Sequence, residues 1–173
     1  MKIIIKKSQM ETQPTNLFIV DDNKLMVLAL EQHIKNKFGV SINISTFYDG
    51  ESCLEKVDTT TDIVILDYNL DGIDGLEILK LIKEINPKTE VIMLSSNESI
   101  VLAIESFREG ARDFVIKKPG SWQKVTRLVN YIITEPIRYM VREFGVSKFV
   151  AIFLLTFVTM GVVVSAVLFA MRH

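Results

Sequence analysis

The chain has 173 residues and a formal net charge of −1, which leaves room for one ordinary domain plus an appendage. With no basic stripe and no recognition-helix module, that charge argues against nucleic acid as a partner. The single cysteine, Cys53, excludes an intramolecular disulfide framework, and His33 and His173 lack metal-ligand spacing.

Residues 1–15 carry Lys2, Lys6 and Lys7 around three isoleucines, too short an apolar run for a signal-peptide core, and read as a flexible lead-in. From there short apolar runs alternate with helical patterns. Strand 17–20 leads to a helix around 24–37, and strand 42–46 to a helix around 51–57 that carries Cys53 as a small core residue. Strand 63–67 leads to a helix around 74–85, strand 90–94 to one around 98–109, and strand 114–117 to one around 121–134. Five such repeats predict an α/β fold, a doubly wound five-stranded parallel sheet over 16–134. No glycine-rich loop follows the first strand, which speaks against a bound dinucleotide.

Residues 135–148 place Ile137, Met140, Val141 and Phe144 on one stripe, with Pro136 suited to a helix start and Gly145 to its end. They read either as a helix on a membrane surface or as an extension of the last domain helix. Residues 149–171 hold no charge and no proline; at ~1.5 Å per residue they would reach roughly 34 Å, against a hydrocarbon core of about 30 Å. A C-terminal transmembrane helix is expected there, with a tail-anchored, single-pass chain in the cell membrane. Arg138, Arg142 and Lys148 before the span would keep the domain on the cytoplasmic side. Gly161 and Ser165 are a small pair four apart that suits a homodimer.

The chemistry lies at strand ends. Asp21-Asp22, Asp67, Ser95-Ser96 and Lys117-Lys118 each close an apolar run, so a parallel sheet brings two acids, one acid, one hydroxyl and one amine to one edge. Carboxylates this close call for a cation, and Mg²⁺ is the usual one, because it takes one or two carboxylates and accepts phosphate oxygens besides. A hydroxyl and an ammonium beside it would neutralise an incoming phosphoryl group. Taken singly, each of these residues could be a cap or a solvated side chain. Together at successive strand ends they are a site.

This set resembles the receiver domain of bacterial response regulators, over roughly Asn16 to Ile133. The resemblance implies the flavodoxin-like receiver fold, Asp67 as phosphoacceptor, and Mg²⁺ held by Asp21, Asp22, Asp67 and the backbone carbonyl of Asn69. It makes Ser95 and Lys117 the phosphoryl-binding pair and Phe114 the aromatic switch, and Asp74-Gly75 and Gly110-Ala111 fall in family positions. Two departures stand out: Lys118 occupies the place where the family has a cis-proline after its lysine, and Asp71 stands where many members have Pro. A one-residue slip that made Lys118 the functional lysine would turn its neighbours to the wrong faces.

The implied function is a membrane-tethered single-domain response regulator, a phosphoacceptor rather than an enzyme. It would take its phosphoryl group from a histidine kinase or phosphotransfer protein and act through protein contacts. On phosphorylation Phe114 is expected to turn inward and change the face of the fourth helix, fifth strand and fifth helix. The alternative is a receiver-fold module that binds a partner at the membrane without being phosphorylated.

Overall fold

The computed structural model describes residues 14–144 and 155–161, with side chains described for 14–135 and 155–161. The chain divides into one compact unit up to Asn130 and a second from Tyr131 onward. In the first, five strands form a parallel sheet in the order β2-β1-β3-β4-β5. They are β1 Thr15–Val20, β2 Ile42–Phe47, β3 Ile63–Asp67, β4 Glu90–Ser95 and β5 Asp113–Ile116. The helices between and after them are α1 Lys24–Phe38, α2 Gly50–Leu54, α3 Gly75–Ile85, α4 Ile100–Arg108 and α5 Ser121–Phe144.

The central position of β3 explains its sequence. Helices cover both faces of a doubly wound sheet, so a middle strand has no solvent side and shows no alternation. Every residue of β3 is buried. Strand side chains alternate between faces, and the two sets separate cleanly. Phe18, Val20, Val64, Leu66, Val91, Met93 and Phe114 pack with Ile78, Leu79 and Ile82 of α3 and with Cys53 of α2. Leu17, Ile19, Ile63, Ile65, Ile92 and Val115, of opposite parity, are buried on the other side. α1 meets that arrangement with Val27, Leu30 and Ile34 on one stripe. Each such side chain contributes about 1.5–3 kcal/mol of transfer free energy.

Local signals fix the helix starts. Asn23 caps α1, its Oδ1 accepting from the N–H groups of Leu25 and Met26 at 3.1 and 3.3 Å. Asp74 caps α3 in the same way, accepting from Leu76 at 2.8 Å.

Most boundaries shift by a residue or two, and three differences have a visible cause or consequence. Thr15, counted in the lead-in, opens β1. α2 stops at Leu54 rather than Val57, because Asp58 turns the chain: its Oδ1 accepts from Thr60 N–H at 2.8 Å and its own N–H reaches Thr61 Oγ1 at 3.1 Å. The last helix does not end near 134; of the two readings of the segment after it, the extension of the last domain helix is the one seen, and α5 is one helix to Phe144. The reason is visible in the spacing, since Val125, Val129, Ile133, Ile137, Met140 and Phe144 continue one helical period, and a proline deletes a single backbone bond. Residues 145–148 and the expected span over 149–171 lie outside the described residues, apart from 155–161, which are helical. Among the described residues no helix is long and apolar enough to cross a membrane.

Candidate functional site

The ladder register explains why distant residues meet. Val20 pairs with Leu66, Asp67 with Leu94, and Ser95 with Ile116. Asp21 and Lys117 each stand one residue past the last rung of their strands, so Asp21, Asp67, Ser95 and Lys117 share the carboxyl edge of the sheet.

Asp21 and Asp67 are buried there, and Asp22 is exposed. The Lys117 ammonium donates to Asp21 Oδ2 at 2.7 Å and lies 2.7 Å from Asp67 Oδ2. Asp21 Oδ1 accepts the Asn23 N–H at 2.9 Å, so the residue that caps α1 also orients the first carboxylate. Asp67 Oδ1 is buried and has no hydrogen-bond partner. One carboxylate oxygen from each of Asp21, Asp22 and Asp67 lies within 4.8 Å of the other two.

Three carboxylates around one ammonium leave an excess of negative charge in a place with little water. Burial pushes the Asp67 carboxyl above its ordinary range, with the Lys117 hydrogen bond and charge working against that shift. Burial draws the Lys117 ammonium down, but hydrogen bonds and charge from Asp21 and Asp67 outweigh it and hold the group above the ordinary lysine range. A divalent cation would relieve the excess. The donor set is all oxygen, open to solvent on the Asp22 side, and Asp67 Oδ1 has a lone pair with nothing to accept, which fits Mg²⁺.

The raised Asp67 value has a consequence for stability. The folded state binds that proton more readily than the unfolded chain, so its contribution is present below the unfolded carboxyl value and lost as pH rises through the folded one. Without divalent ions, Asp67→Asn should therefore melt a few degrees above wild type at neutral pH, and the gap should close as pH falls toward about 4. Thermal melts with chelator across that range measure it. A gap that widened on acidification would show that the ion pair with Lys117, not burial, sets the balance.

Ser95 is buried, and its Oγ accepts the Asn97 N–H at 3.0 Å, which leaves the hydroxyl proton free to turn toward the acids. Asn69 is exposed, and its Nδ2 donates to Ser96 Oγ at 3.4 Å, across the mouth formed by the β3–α3 and β4–α4 loops. Lys118 is exposed, and every peptide bond among the described residues is trans, so the chain passes Lys117-Lys118-Pro119 without a cis link. Phe114 is already inside, 8% exposed within the apolar cluster that includes Met93.

Two contributors to the site do more than their sequence positions indicated. Asn23 was not singled out from the sequence, although its place immediately before an apolar-periodic run is a helix-cap signal; its N–H donates to Asp21 as well. Gly75 was noted only for its place beside Asp74. A Cβ there would lie 2.3 Å from the Asp67 carbonyl oxygen and 2.8 Å from Tyr68 Cα, so α3 starts hard against the backbone that carries Asp67. The Gly75 N–H donates to Tyr68 O at 3.1 Å, closing the loop between them.

Comparison with known proteins agrees with this geometry. A family model described as the response regulator receiver domain matches residues 17–130. The chain is 33% identical over 125 residues to a protein-glutamate methylesterase/protein-glutamine glutaminase of Thermotoga maritima, covering 70% of this chain and 36% of that protein. It is 30% identical over 118 residues to the DNA-binding transcriptional regulator NtrC of Klebsiella pneumoniae, covering 68% and 24%. It thus spans only about a quarter to a half of the length of the curated relatives it matches. Among solved structures, the CheX-CheY-BeF3-Mg+2 complex from Borrelia burgdorferi superposes with a TM-score of 0.62 at 31% identity, covering 69% of this chain and 90% of that one. The BeF3-activated DrrB receiver domain gives 0.61 at 27% identity, covering 70% and 98%.

Proposed function

The chain belongs to the response regulator receiver domain family, a phosphoacceptor signalling module rather than a catalytic enzyme, and on that premise we propose that it accepts a phosphoryl group on Asp67. The observation that carries the assignment is the unpartnered, buried Oδ1 of Asp67 beside two further carboxylates and one shared ammonium.

A carboxylate oxygen of Asp67 attacks phosphorus in line, and the bond from phosphorus to the donor breaks. The donor is a phosphohistidine of a histidine kinase or phosphotransfer protein, or a small acyl phosphate. Asp21, Asp22, Asp67 and the Asn69 carbonyl would hold Mg²⁺, which when bound offsets charge on the transferring oxygens. Ser95 donates its hydroxyl to one phosphoryl oxygen. Lys117 exchanges its contact with Asp67 for another. Its raised pKa keeps it cationic throughout the physiological range, so the charge is there before the phosphoryl group arrives.

The two lysines separate this reading from a one-residue slip. With Mg²⁺ and acetyl phosphate, Lys117→Ala should lower labelling, or the response to it, by at least about tenfold, as expected for a lost charged hydrogen bond. Lys118→Ala should leave labelling within about twofold. Equal effects would mean that Lys118 shares the role.

We propose further that the chain is tethered to the cell membrane by residues 149–171, with the receiver on the cytoplasmic side. The support is the absence of charge over that stretch and the arginines and lysine before it. A protein contact is the route by which we propose the signal leaves. α4 presents Ile100, Val101, Ile104 and Phe107 to solvent, an apolar patch suited to a homodimer whose formation tethering would favour. Crosslinking of the full chain in membranes should rise severalfold with phosphodonor. An unchanged crosslinked fraction would favour a monomeric receiver docking a separate protein, and recovery of the chain in the aqueous phase would remove the tether.

A further inference from the structure

We propose that a pocket between α1 and the β5–α5 loop is a second binding site, for a small planar organic anion of which an aromatic carboxylate is the simplest example. The pocket measures about 400 Å³, inside the range of about 300–1,000 Å³ that small-ligand sites occupy. Met26 and His33 of α1 form one wall, and Pro119 and Trp122 form the other. The His33 and Trp122 rings lie 5.8 Å apart at 52°, a tilted aromatic pair that joins the two walls and suits a planar ligand.

The charge on its rim specifies the ligand. Lys117 and Lys118 both line the pocket, and no acidic residue does. Lys117 is committed to Asp21 and Asp67. Lys118 is exposed, and its ammonium has no ion pair among the described residues. An exposed cation on the rim of a pocket lined by two aromatic rings suits an anionic head on a planar body. The residue by which this chain departs from the Lys-Pro pattern is thus the one that gives the pocket its recognition group.

Lys117 is common to the pocket wall and the acidic site, so occupancy would be felt there. An anion beside Lys117 would compete for its charge and lower phosphoryl labelling. This second effect rests on the reading of Asp67 as phosphoacceptor; the binding does not.

Trp122 is the only tryptophan in the chain, so its fluorescence in the full-length protein reports the pocket directly. The probe is benzoate, with benzyl alcohol as the neutral counterpart of similar shape. Benzoate should give a saturable change with a Kd on the order of 1 mM, the affinity a ligand of so few atoms can reach. Benzyl alcohol, and benzoate with Lys118→Glu, should bind at least about tenfold more weakly. Lys118→Arg should restore affinity. A response without saturation, equal affinity for the alcohol, or indifference to Lys118→Glu would overturn the proposal. Benzoate binding that persists in a protein that gains no phosphoryl mass would leave the pocket standing and remove the Asp67 reading instead.

Discussion

Asp67→Asn incubated with Mg²⁺ and acetyl phosphate is expected to keep its unmodified mass, while the wild-type chain gains about 80 Da, one phosphoryl group. The amide preserves size and can still meet Lys117 through its oxygen, so the fold survives and only the nucleophile is lost. Asp22→Ala tests the neighbouring claim. Asp22 makes up the exposed side of the acidic triad, and its loss should abolish the dependence of labelling on Mg²⁺ concentration in the millimolar range. Intact-mass measurement reads both variants. Full labelling of Asp67→Asn would move the acceptor to another carboxylate, and Asp21 would be the first to test.

Gly75→Ala should be the most damaging change to a residue that carries no functional group. Its Cβ would enter at 2.3 Å from Asp67 O and 2.9 Å from Tyr68 O, and both neighbours are backbone that cannot rotate away. The strand end or the helix start must shift. Overpacking of this kind costs about 1–3 kcal/mol. A displacement near 1 Å at the acceptor lowers the rate of transfer on the order of 10–100-fold. Gly39→Ala is the matched control, because that glycine sits at φ 57 with open space around its missing Cβ, far along the chain from any strand end that carries the site. It should lose stability by a similar amount and label at the wild-type rate. If the two variants label alike, Gly75 is a packing residue with no hold on Asp67.

The strand ends were legible because two constraints coincide in them. A buried parallel strand must be apolar without a break, so the first polar residue after the run marks where the chain leaves the sheet; that mark placed Asp21-Asp22, Asp67 and Lys117-Lys118, and register from Phe114 separated the two lysines. The order of the strands in space required the resemblance as well. What could not be read is what depends on atoms meeting across elements. The Lys117 ammonium, shared between two carboxylates, follows from ladder register rather than from spacing. The inward Phe114 follows from the space that Met93 and its neighbours leave for it. The end of α5 was left open between two readings because Pro136 suits a helix start, although the apolar spacing on either side of it does not change phase.

Cys53 gives the molecule a built-in chemical clock. Burial first, and the charge of Asp49 second, push its thiol up to about 12, so at pH 8 only about one molecule in ten thousand carries the thiolate that reacts. The side chain is also 0% exposed, beneath α2 and within the same apolar cluster as Leu79 and Phe114. Alkylation must wait for that layer to open, and its rate then counts how often it does so. Because Cys53 is the only sulfhydryl in the chain, every labelling event reports that one layer. A thiol reagent and a mass spectrometer can therefore show whether Mg²⁺ or a phosphoryl group at one edge of the sheet tightens the layer beneath it, with no label, tag or substitution introduced.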